Sequence, residues 1–142
     1  MINTIFQIFQ EAASMLNYNR FSPKRGAADW FVLLRSTNEY VGLINLYELS
    51  LETFADNHKK CMIGFQTKVI FQNKGYTKEA VLQLMRYAYD QMNRNKIIAS
   101  TEKDNIPSKQ LLLKIGFTKE TEKYIYGDSE DFFEYNFPFS KN

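Results

Sequence analysis

Two short segments hold the residue types that could do chemistry. The first, Gln72-Asn73-Lys74-Gly75-Tyr76-Thr77, leads into a helical pattern. At a strand-to-helix junction the first backbone N–H groups of the helix lack intrahelical partners. Together with the helix dipole they favour a phosphate or diphosphate. Gly75 permits positive φ and a close approach of backbone to ligand. Lys74 adds a mobile positive charge, and the Thr77 hydroxyl is placed either to cap the helix or to meet a phosphate oxygen. The loop matches neither G-x-G-x-x-G nor the P-loop, which argues against dinucleotides and ordinary nucleoside triphosphates. The second segment, Asn105-Ile106-Pro107-Ser108, opens a shorter helix, with Asn105 as N-cap and Pro107 suited to the first turn.

Other chemistries lack their residues. Cys61 and His58 are each the single residue of their kind, so no intramolecular disulfide can form. Three positions apart, they do not complete the ligand set of a zinc site, and no metal is expected. A reducing, cytoplasmic setting fits a lone cysteine. Lys and Arg number 18 against 16 Asp and Glu, and the signs are interspersed rather than gathered on a basic face. No nucleic-acid partner is expected from such a chain. No membrane association is expected either, because no apolar run approaches the roughly 18 residues of a span. Hydrophobic residues make up 44% of the chain, with 12 Phe and 9 Tyr, which is ample material for the core of one domain over residues 1–142.

These segments must be held by a framework that the hydropathy pattern outlines. Ile2, Ile5, Phe6, Phe9, Ala12, Ala13 and Leu16 recur at helical spacing, predicting a helix over residues 1–18. Extended runs at residues 30–35 and 40–49 flank the turn residues Ser36-Thr37-Asn38 and read as a hairpin. A third strand is expected at 60–66 and a connector at 67–74. A long helix at 77–93 follows, with Ala80, Val81, Leu84, Met85, Ala88 and Met92 as its apolar stripe. A strand at 96–101 completes a parallel strand-helix-strand crossover. The short helix at 106–115 stops at Gly116, and a hairpin of strands at 118–126 and 131–139 closes the chain. In its last strand Phe133, Tyr135, Phe137 and Phe139 alternate onto one face. The expected fold class is α/β, with a mixed, mostly antiparallel sheet around a central parallel crossover.

The order strand, Gln-x-x-Gly-x-Thr, helix, strand, Asn-x-x-Ser, helix, Gly-Phe and aromatic hairpin resembles the GNAT family of acyl-CoA-dependent N-acetyltransferases. The segment from Asn73 to Ala80 looks like the family's pyrophosphate-binding motif. That from Asn105 to Phe117 looks like its second motif, most similar to the branch that acetylates ribosomal-protein N-termini. The resemblance covers roughly residues 29–139 and places the acyl-CoA-binding core at about 60–117.

The resemblance implies acetyl-CoA as co-substrate, without a metal. The acceptor would be a primary amine on a protein N-terminus, a polyamine or a small molecule, attacking the thioester directly. Strand backbone from Phe65 through Thr67 to Val69 would pair with the pantetheine arm, and an amide near Val69 or Ile70 would serve as oxyanion donor. Gln72, Asn73, Lys74, Gly75, Tyr76 and Thr77 would hold the pyrophosphate. Asn105 would contact the pantetheine, and Ser108 would lie near the sulfur. The chain departs from the family pattern at three places. Thr77 stands where Gly or Ala is common, and Leu112 where many members carry a Tyr general acid. Lys60-Cys61-Met62 stands where many carry a Glu. Glu48 is then the leading base, with Glu52, Asp56 or an ordered water chain as alternatives. A catalytically inactive acyl-CoA-binding or scaffold domain of the same fold is the second reading. The family's first strand and helix look short or absent, which leaves a sheet edge compatible with a homodimer.

Overall fold

The computed structural model describes residues 27–47, 59–119 and 130–138. Expectations for the helix at 1–18, for Glu48, Glu52, Asp56 and His58, for most of the strand at 118–126 and for Phe139 lie outside these residues. The described strands are β1 (Ala27–Leu33), β2 (Tyr40–Tyr47), β3 (Lys60–Thr67), β4 (Lys96–Glu102), β5 (Thr118–Lys119) and β6 (Glu130–Asn136). The two helices are α1 (Tyr76–Met92) and α2 (Ile106–Ile115). The strands form one mixed sheet in the order β1-β2-β3-β4-β6-β5. Among them only β3 and β4 run parallel, joined by the α1 crossover as the sequence predicts.

Alternation along the strands sorts side chains between the two faces. Cys61 and Ile63 of β3, Ile97 and Ala99 of β4 and Phe133 of β6 join Trp30, Ile44 and Leu46 in the main core. The stripe predicted for α1 closes that core: Ala80, Val81, Leu84, Met85 and Ala88 are buried, and Met92 packs beside them. Leu112 and Phe117 bring α2 and its C-terminal turn into the same cluster. On the opposite face Met62, Ile98 and Phe132 form a second, smaller core with Tyr47. As predicted, Phe133, Tyr135 and Phe137 share a face, and Tyr135 meets the Phe137 ring edge-on at 5.0 Å.

Two registers prepare the site. β2 and β3 pair from Tyr47↔Met62 to Gly42↔Thr67. A Cβ at Gly42 would stand 2.1 Å from the Gln66 carbonyl oxygen, so only glycine lets the strands meet there. β3 and β4 pair only from Lys60↔Lys96 to Met62↔Ile98, although the strands run on to Thr67 and Glu102. The central ladder therefore opens towards its C-terminal end.

The strand does not extend to Val69. It ends at Thr67, and residues Val69–Phe71 form a 3-10 turn. Lys68 makes the last ladder bond, its N–H donating to the Val41 carbonyl at 2.8 Å. Beyond Val41, β2 has only its first residue, Tyr40, left to offer. Val69 and Ile70 have strand-forming side chains but no strand to join, and they are 81% and 64% exposed.

Candidate functional site

The opened ladder exposes one edge of β3. Along a strand, successive residues turn their N–H and C=O groups to opposite neighbours. Lys68 bonds to β2 through its N–H, and Lys59 accepts from Asn95 and Lys96 on the β4 side. By alternation, Phe65 and Thr67 turn their backbone groups towards β4, in the stretch where β4 no longer pairs with β3. The Thr67 carbonyl accepts from the Gln72 side-chain amide at 3.2 Å.

The loop after the strand leads to the start of α1. Asn73 and Gly75 both take positive φ, 61° and 82°, and Gly75 is the N-cap. With no side-chain cap at Gly75, the first amides of α1 have no side-chain acceptor from that position. A Cβ at Gly75 would meet no protein atom within 4 Å, so the space over the helix start is open. Gln72, Asn73, Lys74 and Gly75 are exposed.

Two side chains are engaged differently from the sequence reading. The Thr77 hydroxyl neither caps the helix nor faces outward; it is hydrogen-bonded to the Thr67 hydroxyl. Gln72 folds back on Thr67, and its own N–H donates to the Val69 carbonyl at 3.2 Å. A local motif gave no sign of either contact, because the hub, Thr67, stands five and ten positions away.

The second segment forms as its residues predict. Asn105 caps α2, its Oδ1 accepting from the Ser108 N–H at 3.3 Å, with Pro107 in the first turn and Gly116 as C-cap at φ 118°. The cap uses the backbone of Ser108, and the side chain, half-buried, is left for other work. Leu112 is fully buried in the main core, so no hydroxyl can act from that position.

Sequence reasoning missed further residues at this end of the sheet. Thr101, near the C-terminal end of β4, is 6% exposed, and its buried hydroxyl has no hydrogen-bond partner in the structure. Across the ladder, Asp131 of β6 receives the Lys109 ammonium at 2.6 Å, with Lys119 at 3.8 Å. The Lys109 hydrogen bond holds the Asp131 carboxyl below the usual carboxylate range. The charges of Lys109, Lys119 and Lys103 act in the same direction, and burial opposes them. This pair ties α2 to β6. Its only sequence signal was opposite charge, which most surface residues also carry.

Comparison with known proteins agrees with this architecture. The family profile described as acetyltransferase (GNAT) domain matches residues 6–118. The chain therefore belongs to the GNAT acetyltransferase family. One relative, the uncharacterized N-acetyltransferase YnaD of Bacillus subtilis, is 31% identical over 111 residues, covering 78% of this chain and 60% of that protein. A second, the uncharacterized YoaA of the same organism, is 29% identical and covered over 62% of its length. The chain thus spans about three fifths of the length of these two curated relatives. Among solved structures, the ribosomal-protein-S5-alanine acetyltransferase of Vibrio fischeri superposes with a TM-score of 0.69 at 18% identity. That match covers 94% of this chain and 73% of the other. The spermidine N-acetyltransferase of Vibrio cholerae, solved with CoA and spermine, gives 0.62 at 18% identity, covering 89% and 72%. At such identities these two likenesses speak for the fold.

Proposed function

We propose that the chain is an acetyl-CoA-dependent N-acetyltransferase that directs a primary amine onto the acetyl thioester without a covalent enzyme intermediate. The observation that supports it most is the opened β3–β4 ladder leading to the Gly75 helix start, in a chain of the GNAT family. The residues present fit the group. The space over Gly75 is open to a phosphate, and the orphaned Thr101 hydroxyl is a buried polar group in the stretch of β4 that no longer pairs with β3.

Acetyl-CoA supplies the activated acetyl group. Phe65 and Thr67 offer strand-edge backbone to the pantetheine arm. One of their amides takes the oxyanion role that the sequence reading gave to Val69 or Ile70. Amides of residues 73–77 at the start of α1 hold the diphosphate, and Lys74 adds charge. Asn105 contacts the pantetheine while capping α2, and the Ser108 hydroxyl delivers a proton to the departing sulfur. Glu48 is the leading base, with Glu52, Asp56 or a water chain in its place. The acceptor class spans protein N-termini, polyamines and small amines; the two solved relatives are named for alanine of a ribosomal protein and for spermidine. A cytoplasmic setting and a homodimer belong to the same reading.

Calorimetric titration with acetyl-CoA, with adenosine diphosphate as control, is the test. Micromolar binding that needs the pantetheine arm, followed by thiol release in an amine screen, supports the enzyme. Binding without release to any amine turns the reading to the non-catalytic acyl-CoA-binding domain. No binding to folded protein removes both.

A further inference from the structure

We propose that Thr67 is a positioning residue that holds the diphosphate loop in its binding shape before any ligand arrives. The inference rests on the acetyl-CoA reading of the site and concerns how the site is kept ready. The chain from Lys68 to Tyr76 leaves the sheet, passes through a 3-10 turn and takes positive φ at Asn73 and Gly75. Residues 68–70 and 72–75 are exposed, and only Phe71 and Tyr76 pack inward, with ring centroids 6.1 Å apart. A loop with so little buried surface keeps one shape only if its ends are tied.

The far end and the middle of the loop are tied to the residue at its near end. The Thr67 hydroxyl bonds the hydroxyl of Thr77 in the first turn of α1. The Thr67 carbonyl accepts from the Gln72 side chain at mid-loop. Thr67 therefore fixes the strand end against the helix start and the loop crest against the strand. The Thr77 hydroxyl is the other half of the clasp. Because the clasp uses only groups of the chain itself, the ordering entropy of the loop falls on folding rather than on binding.

The test uses the full chain with three substitutions, Thr67→Val, Thr67→Ser and Thr77→Val. Thr67→Val keeps the shape and removes the hydroxyl, whereas Thr67→Ser keeps the hydroxyl. Thr67→Val is expected to weaken coenzyme A about five- to tenfold, the worth of one lost hydrogen bond, and Thr67→Ser to bind like the parent. Adding Thr77→Val to Thr67→Val should cost nothing further, because the bond is already gone. A second readout needs no ligand. Trypsin should cut after the exposed Lys68 or Lys74 faster in Thr67→Val than in the parent, with other sites unchanged and with coenzyme A protecting both.

Equal affinity and equal cleavage in all variants overturn the proposal. So does a loss that Thr67→Ser shares with Thr67→Val, or one that tracks a fall in thermal midpoint with cleavage raised throughout the chain. Failure of the parent itself to bind coenzyme A overturns the acetyl-CoA reading instead. The two failures are thereby distinguished.

Discussion

Gly75 is a direct probe of the proposed phosphate site because its backbone and its surroundings make separate demands. At φ 82° any L side chain is strained by about 1–2 kcal/mol, yet a Cβ there touches no protein atom. Gly75→Val should therefore leave the core folded and lower coenzyme A affinity more than tenfold, read by calorimetry beside a thermal melt. Unchanged affinity would move the site elsewhere. Ser108 separates cap from chemistry in a similar way. Its N–H, not its hydroxyl, serves the Asn105 cap, so Ser108→Ala should leave the thermal midpoint near the parent's. Turnover should fall about tenfold or more if the hydroxyl moves the proton. A parental rate would assign Ser108 to the helix start alone. Both residues were legible in the sequence because their roles begin in local backbone chemistry. The side-chain contact of Thr67 and the ion pair of Asp131 were not legible, because each needs a partner that only the fold brings near, and the burial of Thr101 is likewise set by the folded sheet.

At the scale of elements, α2 is fixed to the sheet by Leu112 and Phe117 in the core and by Lys109 on Asp131 at its margin. The lowered Asp131 pKa sets the sign of a pH effect. An acid stabilised in its charged form contributes fully above the ordinary aspartate value of about 3.9, and the contribution is lost as pH falls through the depressed folded value. Thermal midpoints of the parent and of Asp131→Asn should differ most near neutral pH and converge as the medium is acidified below about pH 4. A gap independent of pH would mean that packing, not the ion pair, was lost. Helix periodicity gave α1 and α2 to within a residue, since each stripe is written in its own segment. β3 ends one residue beyond the strand expected at 60–66, whereas the pairing backbone that the resemblance carried on to Val69 stops at Thr67, because β2 offers only Tyr40 beyond Val41, a fact held in another part of the chain. Glu48, the leading base, lies outside the described residues.

On the whole-molecule scale, the sheet's helix-covered face carries the larger core, and the parallel β3–β4 junction opens along the part of β4 that leads to the second motif. That relation is what two separate motifs in the sequence announced without showing how they meet. The same junction buries Cys61, the only cysteine of the chain, and burial pushes its thiol up to about 12 against the opposing charge of Arg94. Thiol reagents attack the thiolate, so this group should stay silent in the native protein. An Ellman-type titration should find almost no free thiol in the folded chain and one equivalent once denaturant returns the group to about 8.5. A full equivalent in native buffer would mean that the β3–β4 core opens readily. Cys61 thus makes the chain its own gauge of integrity: in a colour assay for released coenzyme A the intact protein adds no background. A slow rise without substrate would count unfolded molecules one by one.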